Sequence, residues 1–147
     1  MLHLLDTLFR RNKTSADAFF SPRDVVLFGY DVVCYFDGQA RRGNARHVYV
    51  HAGCIWYFTG DENLNRFKSS PEKFTPQFGG YCAYGLSLGY LAKVDPKAFT
   101  IHDGRLYMNY SNKIMHKWRA TVAERIQSGE RNWPVIDPAV RGGKIVW

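Results

Sequence analysis

Three thiols and five imidazoles are the side chains here whose chemistry could hold a metal or attack an electrophile. Cys82 has the most unusual setting, between Gln77-Phe78-Gly79-Gly80-Tyr81 and Ala83-Tyr84-Gly85. Paired glycines open backbone conformations closed to other residues and let groups approach closely. With rings on both sides of one thiol, the stretch is a candidate ligand pocket built from Gly79, Gly80, Tyr81, Cys82 and Tyr84, with Tyr35 as a further wall. The competing reading is a buried turn whose small residues permit tight packing, since free cysteine is among the most buried residue types. Cys34 follows Asp31-Val32-Val33 and is also flanked by tyrosine. Cys34 and Cys82 are therefore expected on one side of the domain, as a candidate metal pair. Two thiolates alone can hold Cu(I) linearly, whereas zinc wants four ligands. Cys54 reads as a core residue.

The remaining candidates are weaker. His47 and His51 share strand parity, but four residues along a strand is about 13 Å, too far to chelate one ion without a partner strand. His102 and His116 have no carboxylate at triad-like spacing. Asp61-Glu62 reads as a helix start favoured by the helix dipole more than as an acid/base pair. Gly79-Gly80 could form an anion-binding nest, yet no Gly-Lys-Ser/Thr accompanies it. An enzyme using Cys82 as nucleophile would need a base that the sequence does not identify, so catalysis stays open and a binding role is favoured.

Stepping outward, the spacing predicts the elements that must position these groups. Val25 to Phe28 is a short buried run ended by Gly29. Asp31 caps a short helix to Phe36, broken by Asp37-Gly38. Residues 47–51 and 54–58 form a hairpin around Ala52-Gly53. Asp61 caps a helix to about Ser69 that buries Leu64 and Phe67, and Pro71 opens one more turn to Phe74. After the glycine-rich stretch, residues 100–102 and 106–109 make a second hairpin about Asp103-Gly104. Ser111 or Asn112 caps a long last helix to about Ser128, stopped by Gly129. Its apolar face is Ile114, Met115, Trp118, Val122 and Ile126. From Asn132 the tail is expected to be irregular.

Bulk properties bound the function. At 147 residues, 16% of them aromatic, the chain suits one ring-rich domain. The net charge of +7 is uneven, with eight basic and three acidic side chains in residues 105–147. A basic surface attracts anions or an acidic protein partner. Without a nucleic-acid motif, the scattered Lys and Arg are read as keeping the surface soluble. Three widely spaced cysteines are not a disulfide framework, and reduced thiols fit a cytoplasmic setting. No apolar run approaches the roughly 18–20 residues of a membrane span. Residues 1–11 are weakly amphipathic but fail as a secretory signal, because the arginines follow the apolar residues. Organelle targeting by this segment stays open.

Several segments occur together in a known family. Gly29-Tyr30-Asp31-Val32-Val33-Cys34-Tyr35-Phe36, Trp56-Tyr57-Phe58, Phe67, Pro71-Glu72-Lys73-Phe74, Gly79-Gly80-Tyr81-Cys82-Ala83 and Asp103-Gly104-Arg105-Leu106-Tyr107-Met108-Asn109-Tyr110 resemble YHS-domain proteins. The resemblance continues to Trp118 and Asn132-Trp133-Pro134. It implies an α+β fold, a single compact domain with two short hairpins, a short central helix and a long C-terminal helix. The domain would cover 24–136, after an N-terminal segment and linker (1–23) and before a tail (137–147). The resemblance also implies heavy-metal handling, copper above all. Metal-binding relatives carry one cysteine where Cys34 stands and two more where this chain has Thr59 and Asn63. A neutral hydroxyl and an amide are poor ligands for a soft metal, so that set is not intact here. Two functions follow: a module binding a small ligand or Cu(I) through Cys82 and Cys34, or a metal-free interaction domain whose basic last helix faces an acidic partner.

Overall fold

Short apolar runs broken every few residues by Gly, Pro and Asp dictate short elements, and the structure, a computed structural model, consists of them. It describes residues 19–137 and the backbone of 145–146. The amphipathic stretch 1–11 and the linker after it lie outside the described residues, as does most of the C-terminal tail. The fold is α+β, with α1 (Val32–Phe36), β1 (Asn44–His51), β2 (Cys54–Phe58), α2 (Asp61–Ser69), α3 (Pro71–Phe74), α4 (Ala83–Leu88), β3 (Leu91–Ala92), β4 (Phe99–His102), β5 (Arg105–Met108), α5 (Asn112–Ala120), α6 (Val122–Ile136) and β6 (Ile145–Val146). β1–β2 and β4–β5 are antiparallel hairpins, and β3 pairs with β6 in a two-residue parallel ladder. No helix among the described residues is long and apolar enough to cross a membrane.

The two hairpins and the Asp31 cap follow the sequence pattern. Alternation in β2 sends Cys54, Trp56 and Phe58 inward and leaves Ile55 and Tyr57 on the opposite face. Phe67 of α2 packs on Trp56 and Phe58, with ring centroids 4.9 and 5.1 Å away. Leu64 is only partly buried. Gly60, not Asp61, holds the N-cap of α2; Asp61 is its first residue and one of two acidic side chains in the first turn. That placement suits the positive end of the helix dipole without a side-chain cap.

Three differences from the sequence pattern have physical causes. The last helix is two helices. Ser111 caps α5 by accepting the Ile114 N–H, the chain leaves helical geometry at Thr121, and α6 restarts there with the Arg125 N–H on the Thr121 carbonyl. Gly129 does not stop α6, which runs on through Asn132 and Pro134 to Ile136. Its missing side chain instead makes room for Phe78, whose Cζ would lie 2.8 Å from an added Cβ. Second, α4 forms directly after the glycine-rich turn and packs on α6, where the local sequence carries no helical period long enough to announce it. Third, the core begins upstream of residue 24. Phe20 is buried, its N–H donates to the Gly79 carbonyl at 2.7 Å, and Phe19 stands edge-on to Trp56.

Gly129→Ala sets two effects against each other. Alanine in a helix interior gains about 1 kcal/mol over glycine, whereas overpacking a filled site costs about 1–3 kcal/mol. Phe78 is buried against Tyr107 and Trp133, so its ring has little room to yield. Net destabilisation of about 1–2 kcal/mol is expected from denaturant unfolding; a stabilised variant would show that the α6–Phe78 contact is loose.

Candidate functional site

The glycine-rich stretch is a buried turn at the centre of the ring cluster. Phe78, Gly79 and Gly80 take left-handed backbone angles in succession (φ 55°, 61° and 82°), and glycine at two of the three limits the strain. The turn sends Phe78 and Tyr81 inward among Phe20, Tyr107 and Trp133. Gly79, Gly80, Tyr81 and Cys82 are all buried. Tyr84 is half-buried, with the Arg125 guanidinium 4.5 Å above its ring. Tyr35 is buried on α1, donates its hydroxyl proton to the Pro96 carbonyl at 2.7 Å and packs on Phe99. Burial raises the Tyr35 pKa strongly, so its hydroxyl stays protonated.

Cys82 is 2% exposed and precedes α4. Its thiol donates to Asn109 Oδ1 at 3.5 Å and accepts the Tyr110 N–H at 3.3 Å. The same Asn109 oxygen accepts the Tyr84 N–H at 3.1 Å, so the end of β5 is tied to the start of α4 through one amide. Asn109 Nδ2 has no hydrogen-bond partner among the described residues. Burial pushes the Cys82 thiol up, and the neighbouring backbone N–H groups only partly oppose it. Nothing in the sequence gives Asn109 a role of its own; it matters because folding brings its side chain against Cys82.

Cys34 belongs to a second cluster, organised by Asp31. The Asp31 carboxylate is buried, with Oδ1 accepting the Val33 N–H at 2.9 Å as the helix cap. Oδ2 accepts the Thr59 N–H at 2.8 Å, the Thr59 hydroxyl at 2.9 Å and the Asn63 amide at 2.9 Å. Asn63 Nδ2 also lies 3.4 Å from both Cys34 Sγ and Thr59 Oγ1. Burial, and secondarily the Asp31 charge, raise the Cys34 pKa. The positions of Thr59 and Asn63 thus do converge on Cys34, as the resemblance implies. What meets there is a hydrogen-bond donor surrounded by acceptors.

That donor set does not fit a soft metal. The Asp31 oxygens already accept four hydrogen bonds, and Asn63 presents its NH2 group instead of a lone pair. One thiol remains, protonated at neutral pH. The partners of Cys34 and those of Cys82 have no residue in common. Among the described residues no group of three or more His, Cys, Asp or Glu side chains is arranged to hold a metal ion. His47 Nδ1 lies 2.9 Å from Asp61 Oδ1, whereas His51 stands edge-on to Trp56 and Phe67. Cys54 is buried in the core cluster.

Comparison with protein-family models, curated proteins and solved structures found no match.

Asp31→Asn would turn one acceptor oxygen into a donor facing donors. A hydrogen bond to a charged group contributes about 1.5–3 kcal/mol, so a loss of about 2–3 kcal/mol in unfolding free energy is expected. Loss below about 1 kcal/mol would mean that water replaces the missing contacts. The raised Cys82 pKa makes a separate prediction. An unfolded thiol titrates at about 8.5, and the folded one higher. The stability linked to this thiol is therefore full below that value and falls as pH rises toward the folded pKa. Unfolding curves measured across alkaline pH should show this fall in wild type and less of it in Cys82→Ala; identical pH profiles would remove the assignment.

Proposed function

We propose that this chain is a small, non-catalytic interaction module, YHS-like in sequence, in which a hydrogen-bonded cluster takes the position of the metal-binding relatives' cysteines. The observation that carries this reading is the Asn63 amide nitrogen, within 3.4 Å of Asp31, Thr59 and Cys34 acceptors. The amide donates toward all three, so hydrogen bonds alone satisfy the cluster. The cluster then serves to hold α1 against the β2–α2 connection, and recognition falls to the surface.

The second reading keeps a small ligand or Cu(I) at Cys82 and Cys34. It is favoured by the buried thiol that each position holds and by the ability of thiolates to bind Cu(I) once deprotonated. One experiment separates the two. Anaerobic Cu(I) titration of wild type, Cys34→Ser and Cys82→Ser is expected to give no stoichiometric uptake that depends on either thiol. Stoichiometric uptake lost in both variants would overturn the metal-free reading. Thr59→Cys/Asn63→Cys is the positive control, because it places three thiols at the converging positions and should acquire stoichiometric uptake.

A further inference from the structure

The outward face of the β1–β2 hairpin is apolar where a solvated sheet face would be polar. Val48 pairs with Tyr57 and Val50 with Ile55, and Val25 bridges Ile55 from the other side. Side chains paired across strands share a face, so Val50, Ile55 and Val25 form a row. Val48 and Val50 are 46% and 62% exposed. At the Val25 end the row opens into a cleft of about 160 Å³ lined by Pro22, Arg23, Val25, Phe28 and Arg42. Phe28 is 37% exposed and held at φ 58°, a left-handed angle that a bulky residue rarely takes. Its edge contact with Phe20 fixes the ring in place. Arg42 lies over the Tyr30 ring at 5.4 Å, and among the described residues neither Arg23 nor Arg42 is in an ion pair.

From this we infer that the cleft and the valine row form the docking surface for an acidic protein segment that carries an aromatic or aliphatic anchor. This rests on the interaction-module reading above and names the partner's chemistry. Small-molecule sites span about 300–1,000 Å³, so this cleft suits one side chain and not a cofactor. Two arginines at its rim present planar donors that match carboxylates in paired hydrogen bonds. The adjacent carboxylate, Asp24, does not line the cleft. The chain's own residues 1–18 carry Arg10, Arg11 and Lys13 against Asp6 and Asp17, so the segment is not acidic overall, and charge favours a partner with excess carboxylates over it. A concave seat for one side chain also favours a peptide over a lipid surface. The basic last helix, expected from sequence to meet the acidic partner, turns Met115 and Trp118 of α5 toward the core.

The test is selection of a random peptide library displayed on phage against the full-length protein. Enriched peptides should combine Asp or Glu with Phe, Leu or Trp. Arg23→Glu/Arg42→Glu should weaken binding of a synthesised winner at least tenfold, and Phe28→Asn, which tolerates the left-handed backbone, should also weaken it. Lys113→Glu/Lys117→Glu, an equal charge change on α5, should leave binding within twofold. Circular dichroism and thermal unfolding establish that each variant is folded. No enrichment, enriched peptides without acidic residues, equal binding by the Arg23/Arg42 variant, or binding only to anionic phospholipid vesicles would each overturn the proposal. Cu(I) uptake bears on the metal-free reading alone, so the two can fail separately.

Discussion

A buried carboxylate must find enough donors to replace water, and Asp31 finds them from three parts of the chain. One oxygen starts α1, and the other gathers Thr59 at the end of β2 and Asn63 in the first turns of α2. The hairpin and the two helices beside it are thereby locked in one arrangement. Without the carboxylate, Val33 and Thr59 would leave backbone N–H groups without their acceptor at a half-buried junction, a costlier outcome than losing an apolar contact. The direction in which β1 and β2 present their outer face depends on this junction.

The second constraint is steric. Three consecutive left-handed residues drive the chain from Pro76 back into the core, and Phe78 and Tyr81 become the hub against which Phe20, Tyr107 and Trp133 close. Gly80 has Pro76 and Leu27 atoms 3.1 and 3.3 Å from where a Cβ would stand. Gly129 answers Phe78 from the far side. The small residues are therefore matched across long sequence distance, and the thiol that follows the turn is enclosed by the same packing that makes the turn possible.

These two constraints bear on function together. They use the two most chemically distinctive parts of the chain, the Asp31–Cys34 region and the Gly79–Cys82 region, as internal fastenings. Among the described residues, Val48 and Val50 on the hairpin and Phe28 beside it face solvent next to Arg23 and Arg42, and aromatic and arginine side chains are the types enriched where protein surfaces meet.

The sequence alone determined the α+β class, both hairpins, the Asp31 cap, the short helices at 61–69 and 71–74, and the inward stripe holding Met115 and Trp118. Each rests on local chemistry: an Asp-Gly or Ala-Gly turn, a capping oxygen, a period of two or of 3.6. Tertiary structure decided what local signals cannot encode. Gly129 reads as a helix stop until Phe78, fifty-one residues earlier in the chain, is found filling its space. Asn109 has no role that the sequence assigns and Asn63 reads there only as a poor metal ligand; both become central when folding sets them beside Cys82 and Asp31. The outer valine row is legible as alternation, but which face the core covers is settled by Phe67 packing against Trp56 and Phe58 on the other side.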